Sequence, residues 1–106
     1  MTEINLNQTI NMSGGDWKAM FKAIQDNDVV LVNYYLTLDI DPNYQHPEFM
    51  ALPLAESIRY NHLEIIKLLL SKGANPLLVE LETGQTCVQI AIQKGNKEVI
   101  NLLSVY

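Results

Sequence analysis

The chain has 106 residues, a formal charge of −5 and one cysteine. This length accommodates one domain with a modest core, but not two independent domains. Apolar residues make up 48% and charged residues 18%, which is typical of a folded globular protein rather than a disordered one. Nucleic-acid binding needs basic groups that displace phosphate counterions, so the acidic balance argues against that function.

The charge is uneven along the chain. Residues 1–47 hold two basic and six acidic residues, which gives −4, and residues 48–106 hold five basic and six acidic residues, which gives −1. The acidic half is either a solvated face or a docking surface for a basic partner. The start "MTEINLNQTINMS" has no basic region followed by an apolar run, so it does not resemble a signal peptide. A single cysteine fits a reducing compartment, and we expect a cytoplasmic protein.

Twelve-residue segments repeat at a spacing of 34 residues. The segment that begins at Gln25 aligns without gaps with those that begin at Arg59 and Gln93. Apolar residues recur in this register, and a fixed period of this size is the sequence signature of a solenoid. Two further columns hold small residues and turn-forming residues, respectively Ala23, Ser57 and Ala91, and Asn27, Asn61 and Gly95.

Each repeat is predicted to form two helices, with the turn-forming column between them. Pro53 suits the first turn of the first helix in the middle repeat. Asparagine and glycine tolerate positive φ and also serve as N-caps, and Asn61 followed by Glu64 predicts a capping box. Apolar residues then recur at helical steps of three and four, until Gly73 and Pro76 end the second helix.

The column of small residues predicts close helix packing between repeats. Short side chains let adjacent helices approach, while larger apolar side chains fill the layer between them. One helix pair cannot bury its apolar face alone, but three stacked pairs can. The sequence therefore predicts a solenoid of three units.

The middle repeat, "LPLAESIRYNHLEIIKLLLSKGANP", closely resembles the ankyrin repeat, and the resemblance extends over residues 16–106. It implies an all-α fold, an ankyrin-repeat solenoid of three stacked helix-turn-helix repeats joined by loop or hairpin connections. Residues 1–15 are then an N-terminal extension, and the repeats span about 16–49, 50–83 and 84–106. The matching residues are Pro53, Leu54, His62, Leu63, Glu64, Ile65, Lys67, Leu68, Leu69, Leu70, Gly73, Ala74 and Pro76.

The chain departs from the family pattern in three ways. The Thr-Pro-Leu-His motif, which joins neighbouring repeats by hydrogen bonds in the family, is degraded in all three repeats, so we expect a less stable stack. The period is one residue longer than usual, and we place the extra residue in the loops "NYQHPEFM" and "LLVELETG". The end repeats should act as caps, with Lys97, Asn101 and Ser104 facing water.

The sequence offers no assembled chemistry. A zinc site needs three or four converging ligands, and the candidates are only His46, His62 and Cys87. His62 belongs to the repeat pattern, His46 is most simply a loop residue, and Cys87 is most simply a buried thiol. Glu56 and Lys22 share a column and are predicted to form an ion pair between repeats. We therefore predict no enzyme, no cofactor, and no catalytic or metal-binding residue.

The resemblance implies a partner protein bound in the concave groove, which the first helices and loop tips form. Tryptophan, tyrosine and arginine are enriched in binding hot spots, and the carried-over positions include the only tryptophan and the only arginine. The alternative is that Trp17, Phe49 and Tyr60 pack against the core. The predicted contacts are Trp17, Gln25, Asp26, Glu48, Phe49, Ala51, Arg59, Tyr60, Glu82, Thr83, Gln85, Gln93 and Lys94.

Three functions remain open at this point. The first is a protein-interaction module that is monomeric when free. The second is a dedicated small inhibitor, such as an immunity protein that neutralises a toxin, with a basic toxin steered to the acidic first repeat. The third is a self-associating structural protein whose end repeats stack on a second copy. The apolar loop "LLVELE" is a further candidate surface, unless it is buried against the last repeat.

Overall fold

The computed structural model describes residues 14–106, which form six α-helices in three antiparallel pairs. Within this range the only β-structure is an isolated bridge between Val79 and Thr86, so the predicted all-α repeat fold is confirmed. The predicted extension, apart from its last two residues, lies outside the described range. The helices are α1 (Gly14–Gln25), α2 (Val29–Thr37), α3 (Pro53–Arg59), α4 (Leu63–Ser71), α5 (Cys87–Lys94) and α6 (Lys97–Leu103).

The turn-forming column separates the two helices of every pair. Asn27, Asn61 and Gly95 have φ angles of 59°, 57° and 72°, a left-handed conformation that glycine and asparagine adopt most readily. Because Asn61 serves as this turn residue, it does not cap α4, and the predicted capping box is wrong. The N-cap of α4 is His62, whose side chain makes no capping hydrogen bond.

A capping box does form one repeat later, at the start of α5. The Thr86 hydroxyl accepts a hydrogen bond from the Gln89 amide at 3.1 Å, and the Gln89 side chain accepts one from the Thr86 amide at 2.8 Å. Each bond satisfies an amide that the first helical turn leaves unpaired. Thr86 is the only threonine among the three equivalent positions, which hold Lys18, Leu52 and Thr86, so a capping box forms at this position only in this repeat.

The core lies between the stacked helix pairs. Helices α1, α3 and α5 form the inner layer, and α2 packs beside α4 in the outer layer. The small residues Ala23, Ser57 and Ala91 are all buried where the inner helices meet, as the column predicts. Ile66 and Leu69 of α4 are fully buried in the same core, so helical apolar spacing correctly identified the inward face of this helix.

The helix ends and the outer surface also follow the sequence. Pro53 is the first residue of α3, and α4 ends at Ser71, two residues before Gly73 takes a φ of 95°. In the last repeat Lys97, Asn101 and Ser104 are exposed, as expected for a cap. These features depend on local backbone preferences, which the sequence states directly.

Two amide side chains join the first loop (residues 38–52) to the second loop (residues 72–86). Each side chain forms one hydrogen bond to each of two backbone groups of the neighbouring loop. The bonds run from Asn43 Nδ2 to the Gly73 carbonyl (3.0 Å), from the Asn75 amide to Asn43 Oδ1 (2.7 Å), from Gln45 Nε2 to the Val79 carbonyl (3.0 Å) and from the Leu81 amide to Gln45 Oε1 (2.7 Å).

Asn43→Ala is expected to lower the free energy of unfolding by about 1 kcal/mol, because two hydrogen bonds between loops are lost while water can reach the groups left behind. Urea denaturation followed by Trp17 fluorescence measures this change. Asn33→Ala is the matched control, since Asn33 is exposed on α2, and it should shift stability by less than about 0.5 kcal/mol. Equal effects of the two substitutions would show that the loop bonds contribute nothing.

Candidate functional site

A cavity of about 480 Å³ opens in the groove between the inner helices and the two loops. Helix α1 contributes one side chain, α3 two, the first loop three and the second loop two. Six of the predicted contact positions meet here, and two unpredicted residues, Phe21 and Glu56, complete the lining. The lining residues are Phe21, Glu48, Phe49, Ala51, Glu56, Arg59, Glu82 and Thr83.

Stacked aromatic rings form the apolar side of the cavity. The rings of Phe21 and Phe49 are stacked with centroids 5.0 Å apart, and the Trp17 ring contacts both, stacked at 5.0 Å from Phe21 and tilted at 5.6 Å from Phe49. Tyr44 and His46 contact Trp17 edge-on and tilted, respectively. Ring spacing of 4.5–7 Å is favourable for aromatic pairs, so this cluster holds the first loop against α1.

Arg59 closes the opposite side of the cavity through two carboxylates. Its Nη1 and Nη2 donate to the two oxygens of Glu80, each at 2.8 Å, and its Nε and Nη2 donate to Glu56 Oε1 at 3.0 and 2.9 Å. The pairing with Glu80 is the bidentate geometry that makes arginine–carboxylate bonds strong. The hydrogen bonds that Arg59 donates to Glu80 raise the pKa of Arg59 above its ordinary value, so the guanidinium stays charged.

Glu80 is a fully buried carboxylate with 0% exposure, although it belongs to a loop. It also accepts hydrogen bonds from the Leu52 amide at 3.0 Å and the Thr83 hydroxyl at 2.9 Å. Burial by itself raises the pKa of Glu80, but the hydrogen bonds from Arg59, Leu52 and Thr83 outweigh it and hold the pKa below its ordinary value. Glu80 therefore connects the second loop to the start of α3 as an ionised group.

Two further carboxylates stand at the rim of the cavity. Glu48 pairs with Lys18 at 2.6 Å, and the hydrogen bond from Lys18 lowers the pKa of Glu48. Glu82 is held through its backbone, because its amide donates to the Met50 carbonyl at 2.7 Å. Its exposed carboxylate has no ion pair or hydrogen bond with any residue in the described range. Glu82 is thus an exposed carboxylate at the rim of the cavity.

Burial divides the predicted contact residues. Trp17 is 2% exposed and Ala51 5%, so both side chains are largely covered, and the burial of Trp17 agrees with the alternative interpretation that it packs against the core. Arg59, Gln25, Phe49 and Gln85 are half-buried. The exposed positions are Asp26, Glu48, Tyr60, Glu82, Thr83, Gln93 and Lys94, of which Glu48, Glu82 and Thr83 reach the cavity.

The predicted ion pair between Lys22 and Glu56 is wrong. Lys22 bonds instead to Asp26 on its own helix at 2.9 Å, and both side chains are exposed. Glu56 is buried, and it accepts a hydrogen bond from Gln25 Nε2 at 2.8 Å in addition to those from Arg59. A buried carboxylate requires close donors, and Gln25 and Arg59 meet this need where the exposed Lys22 does not.

No role for Glu80 was predicted from the sequence, and Glu56 was paired with the wrong residue. An available signal was that each is an acidic residue within an apolar stretch, "LPLAESI" for Glu56 and "LLVEL" for Glu80. Acidic residues in such a setting are rarely buried unless they are paired. The sequence offers only one arginine, yet nothing in it states that Arg59 reaches both carboxylates.

The candidate chemical residues have structural roles. Cys87 is fully buried, and burial raises the pKa of its thiol to about 12, which keeps the thiol protonated and unreactive. His62 Nε2 lies 3.1 Å from the Gln25 carbonyl, and His46 Nδ1 accepts from the Glu48 amide at 3.0 Å. Within residues 14–106 no three His, Cys, Asp or Glu side chains converge on a point, and no helix there is long and apolar enough to cross a membrane.

Comparison with known proteins shows which sequences this chain resembles. The family model described as "Ankyrin repeats (3 copies)" matches residues 19–105. The chain is 29% identical over 85 residues to palmitoyltransferase AKR1 of Lachancea kluyveri, which covers 80% of this chain and 11% of that protein. It is 27% identical over 86 residues to the Caenorhabditis elegans ankyrin repeat and KH domain-containing protein mask-1, covering 81% of this chain and 3% of that protein.

A viral relative shows the same likeness over a shorter stretch. The putative ankyrin repeat protein FPV222 of Fowlpox virus is 39% identical over 57 residues, which is 54% of this chain and 8% of the viral protein. The chain thus spans at most 11% of the length of these relatives. The family match covers most of the chain and agrees with the three helix pairs of the structure. The chain belongs to the ankyrin repeat family.

Proposed function

We propose that the chain is a non-catalytic protein-interaction module that binds a partner protein in its concave groove. Ankyrin repeats generally mediate protein–protein interaction, and the observation that carries the groove assignment is the cavity of about 480 Å³ to which helices α1 and α3 and both loops contribute. The buried, protonated thiol of Cys87 argues against a thiolate nucleophile at that residue, and a single free cysteine supports a cytoplasmic setting.

The proposed contacts are the exposed and half-exposed groove positions. Tyr60 is a large aromatic side chain with 48% exposure, and such residues dominate binding energy when a partner desolvates them. Lys94 occupies the same position one repeat later and is also exposed. Together they mark a row along the ends of the inner helices. The remaining members of the proposed surface are Gln25, Asp26, Glu48, Phe49, Arg59, Glu82, Thr83, Gln85 and Gln93.

Affinity capture from the source lysate, followed by titration of the purified partner, tests the groove. The double substitution Tyr60→Ala with Lys94→Ala is expected to weaken partner binding by at least about tenfold, because it removes one hot-spot side chain and one charge. Tyr34→Ala with Lys67→Ala is the matched control, since both residues are exposed on the outer helices. If the control weakens binding more than the groove variant does, the binding surface is on the outer layer.

A dedicated inhibitor, such as an immunity protein for a toxin, is a narrower form of the same proposal. It is favoured by the acidic lining of the groove, where Glu48, Glu56 and Glu82 face one arginine. Tight, salt-sensitive binding to one basic protein supports the inhibitor, whereas weak binding to several proteins supports a general adaptor.

Self-association is a second candidate because the second loop exposes three apolar side chains, Leu77, Val79 and Leu81. Leu77 and Val79 lie 34 residues after Asn43 and Gln45 and so occupy the equivalent positions one repeat later. Asn43 and Gln45 hydrogen-bond to the second loop, which is the next loop in the stack. Sedimentation equilibrium at micromolar concentration distinguishes partner binding in the groove from self-association. A monomer supports the groove proposal, and a dimer supports self-association.

A further inference from the structure

We propose that the groove cavity receives a basic side chain, lysine or arginine, from the bound protein. This inference rests on the proposed function and assigns the chemistry of one contact within it. The cavity offers three things that such a side chain requires: room, an apolar wall for its aliphatic stem, and negative charge for its end.

The room and the apolar wall come from the first loop and α1. A volume of about 480 Å³ lies within the range of about 300–1,000 Å³ that small ligands occupy, so one long side chain and part of its backbone fit. The stacked rings of Phe21 and Phe49, 5.0 Å apart and both in the lining, provide the wall. Aliphatic stems pack well on such rings, and a cation above an aromatic face gains a further attraction.

The charge of the lining selects a cation over an anion. Three carboxylates and one guanidinium line the cavity, which leaves a formal charge of −2. Arg59 does not attract an anion, because all three of its nitrogens already donate to Glu56 and Glu80. Glu48 is already paired with Lys18.

Glu82 is the carboxylate left for the incoming group. It lines the cavity, is exposed, and makes no side-chain bond to residues 14–106. Its backbone is held by the hydrogen bond to the Met50 carbonyl, so the side chain starts from a fixed position on the rim and the carboxylate can turn toward an incoming group. A basic side chain that follows the phenylalanine wall toward the rim ends beside Glu82.

Short peptides test this pocket without the natural partner. The probes are N-acetylated, C-amidated Gly-Lys-Gly and Gly-Arg-Gly, with Gly-Nle-Gly as the control, since norleucine keeps a linear stem and lacks the charge. In ¹H–¹⁵N spectra of the full chain, the two basic peptides should shift the amides of Ala51 and Thr83 in a saturable way, while the norleucine peptide should not. Added salt should weaken these shifts.

Two variants locate the charge. Glu82→Gln should weaken binding of the basic peptides by about fivefold, the upper range for one exposed ion pair. Glu98→Gln, which removes an exposed carboxylate on α6, should leave it unchanged. Equal binding of the norleucine peptide, equal effects of the two variants, shifts confined to other residues, or no shift at 50 mM peptide would each overturn the inference.

These outcomes are separable from those of the proposed function. If the Tyr60 and Lys94 double variant loses its partner while the basic peptides fail to bind, the groove proposal holds and the inference fails. If the peptides bind at Ala51 and Thr83 while that double variant keeps its partner, the pocket inference is supported and the placement of the protein partner along this row is wrong.

Discussion

Arg59→Ala is expected to lower the free energy of unfolding by about 3 kcal/mol. The substitution leaves Glu80 fully buried without its cation, and removing one partner of a buried ion pair destabilises a protein by about 3–5 kcal/mol. The low end applies because the Arg59 side chain is 31% exposed. Urea denaturation followed by Trp17 fluorescence measures the change, since Trp17 is the only tryptophan and is buried.

Lys22→Ala is the control for the loss of a cation. The pair between Lys22 and Asp26 is exposed on both sides, and such pairs contribute about 0–1 kcal/mol. If Arg59→Ala and Lys22→Ala destabilise the chain equally, the buried network does not hold the second loop to α3.

The destabilisation caused by Arg59→Ala is also expected to depend on pH. Because the folded-state pKa of Glu80 lies below its ordinary value, the stability that Glu80 contributes is fully present above the unfolded-state pKa and is lost as pH falls through the folded-state pKa. Without Arg59, burial dominates and raises the pKa of Glu80, so protonation of Glu80 at lower pH removes the buried charge and stabilises the folded variant. The difference in unfolding free energy between wild type and Arg59→Ala should therefore shrink from pH 7 to pH 4, and a constant difference would contradict this account.

Leu69→Ala is expected to cost about 3 kcal/mol of unfolding free energy. Leu69 has 0% exposure in α4, the outer helix of the middle repeat. Truncating a buried leucine loses its transfer free energy and leaves a cavity, which together amount to about 2–5 kcal/mol. Both neighbouring repeats depend on the middle one, because a repeat stack is stabilised by contacts between adjacent units. We therefore expect a single cooperative transition at a lower urea concentration.

Leu77→Ala is the matched control for the loss of a leucine side chain. Leu77 lies in the second loop with 66% exposure, so its truncation should change stability by less than about 0.5 kcal/mol. If Leu77→Ala destabilises the chain as much as Leu69→Ala, then Leu77 is covered in solution, which would favour self-association through the second loop.

Much of the fold was accessible from the repeat alone. The column at Asn27, Asn61 and Gly95 was predicted as the turn between paired helices, and each member takes positive φ. The error at Asn61 has a local reason: the same residue type suits a left-handed turn and an N-cap, and spacing alone does not decide between them. The capping box forms instead at Thr86, which is not in a left-handed conformation and is free to serve as an N-cap.

The candidate site was only partly accessible. The predicted positions included six of the lining residues, because the family register carries them over from repeat to repeat. The predicted positions also included Trp17, which is buried in the aromatic cluster, and Arg59. The ion pairs of Arg59 with Glu56 and Glu80 were not predicted, because Glu80 lies 21 residues away in a loop with no pattern that pairs the two.

The sequence by itself determined the period of 34, the six helices, their turns and the small-residue column, because these depend on backbone preferences and on apolar spacing within short segments. Only the tertiary structure decided which polar groups pair across repeats and which side chains remain open to a partner. Burial and ion pairing depend on the distances between residues far apart in the chain, and stacking of the repeats sets those distances. That stacking buries Trp17 and Glu80 and leaves Tyr60 and Glu82 exposed.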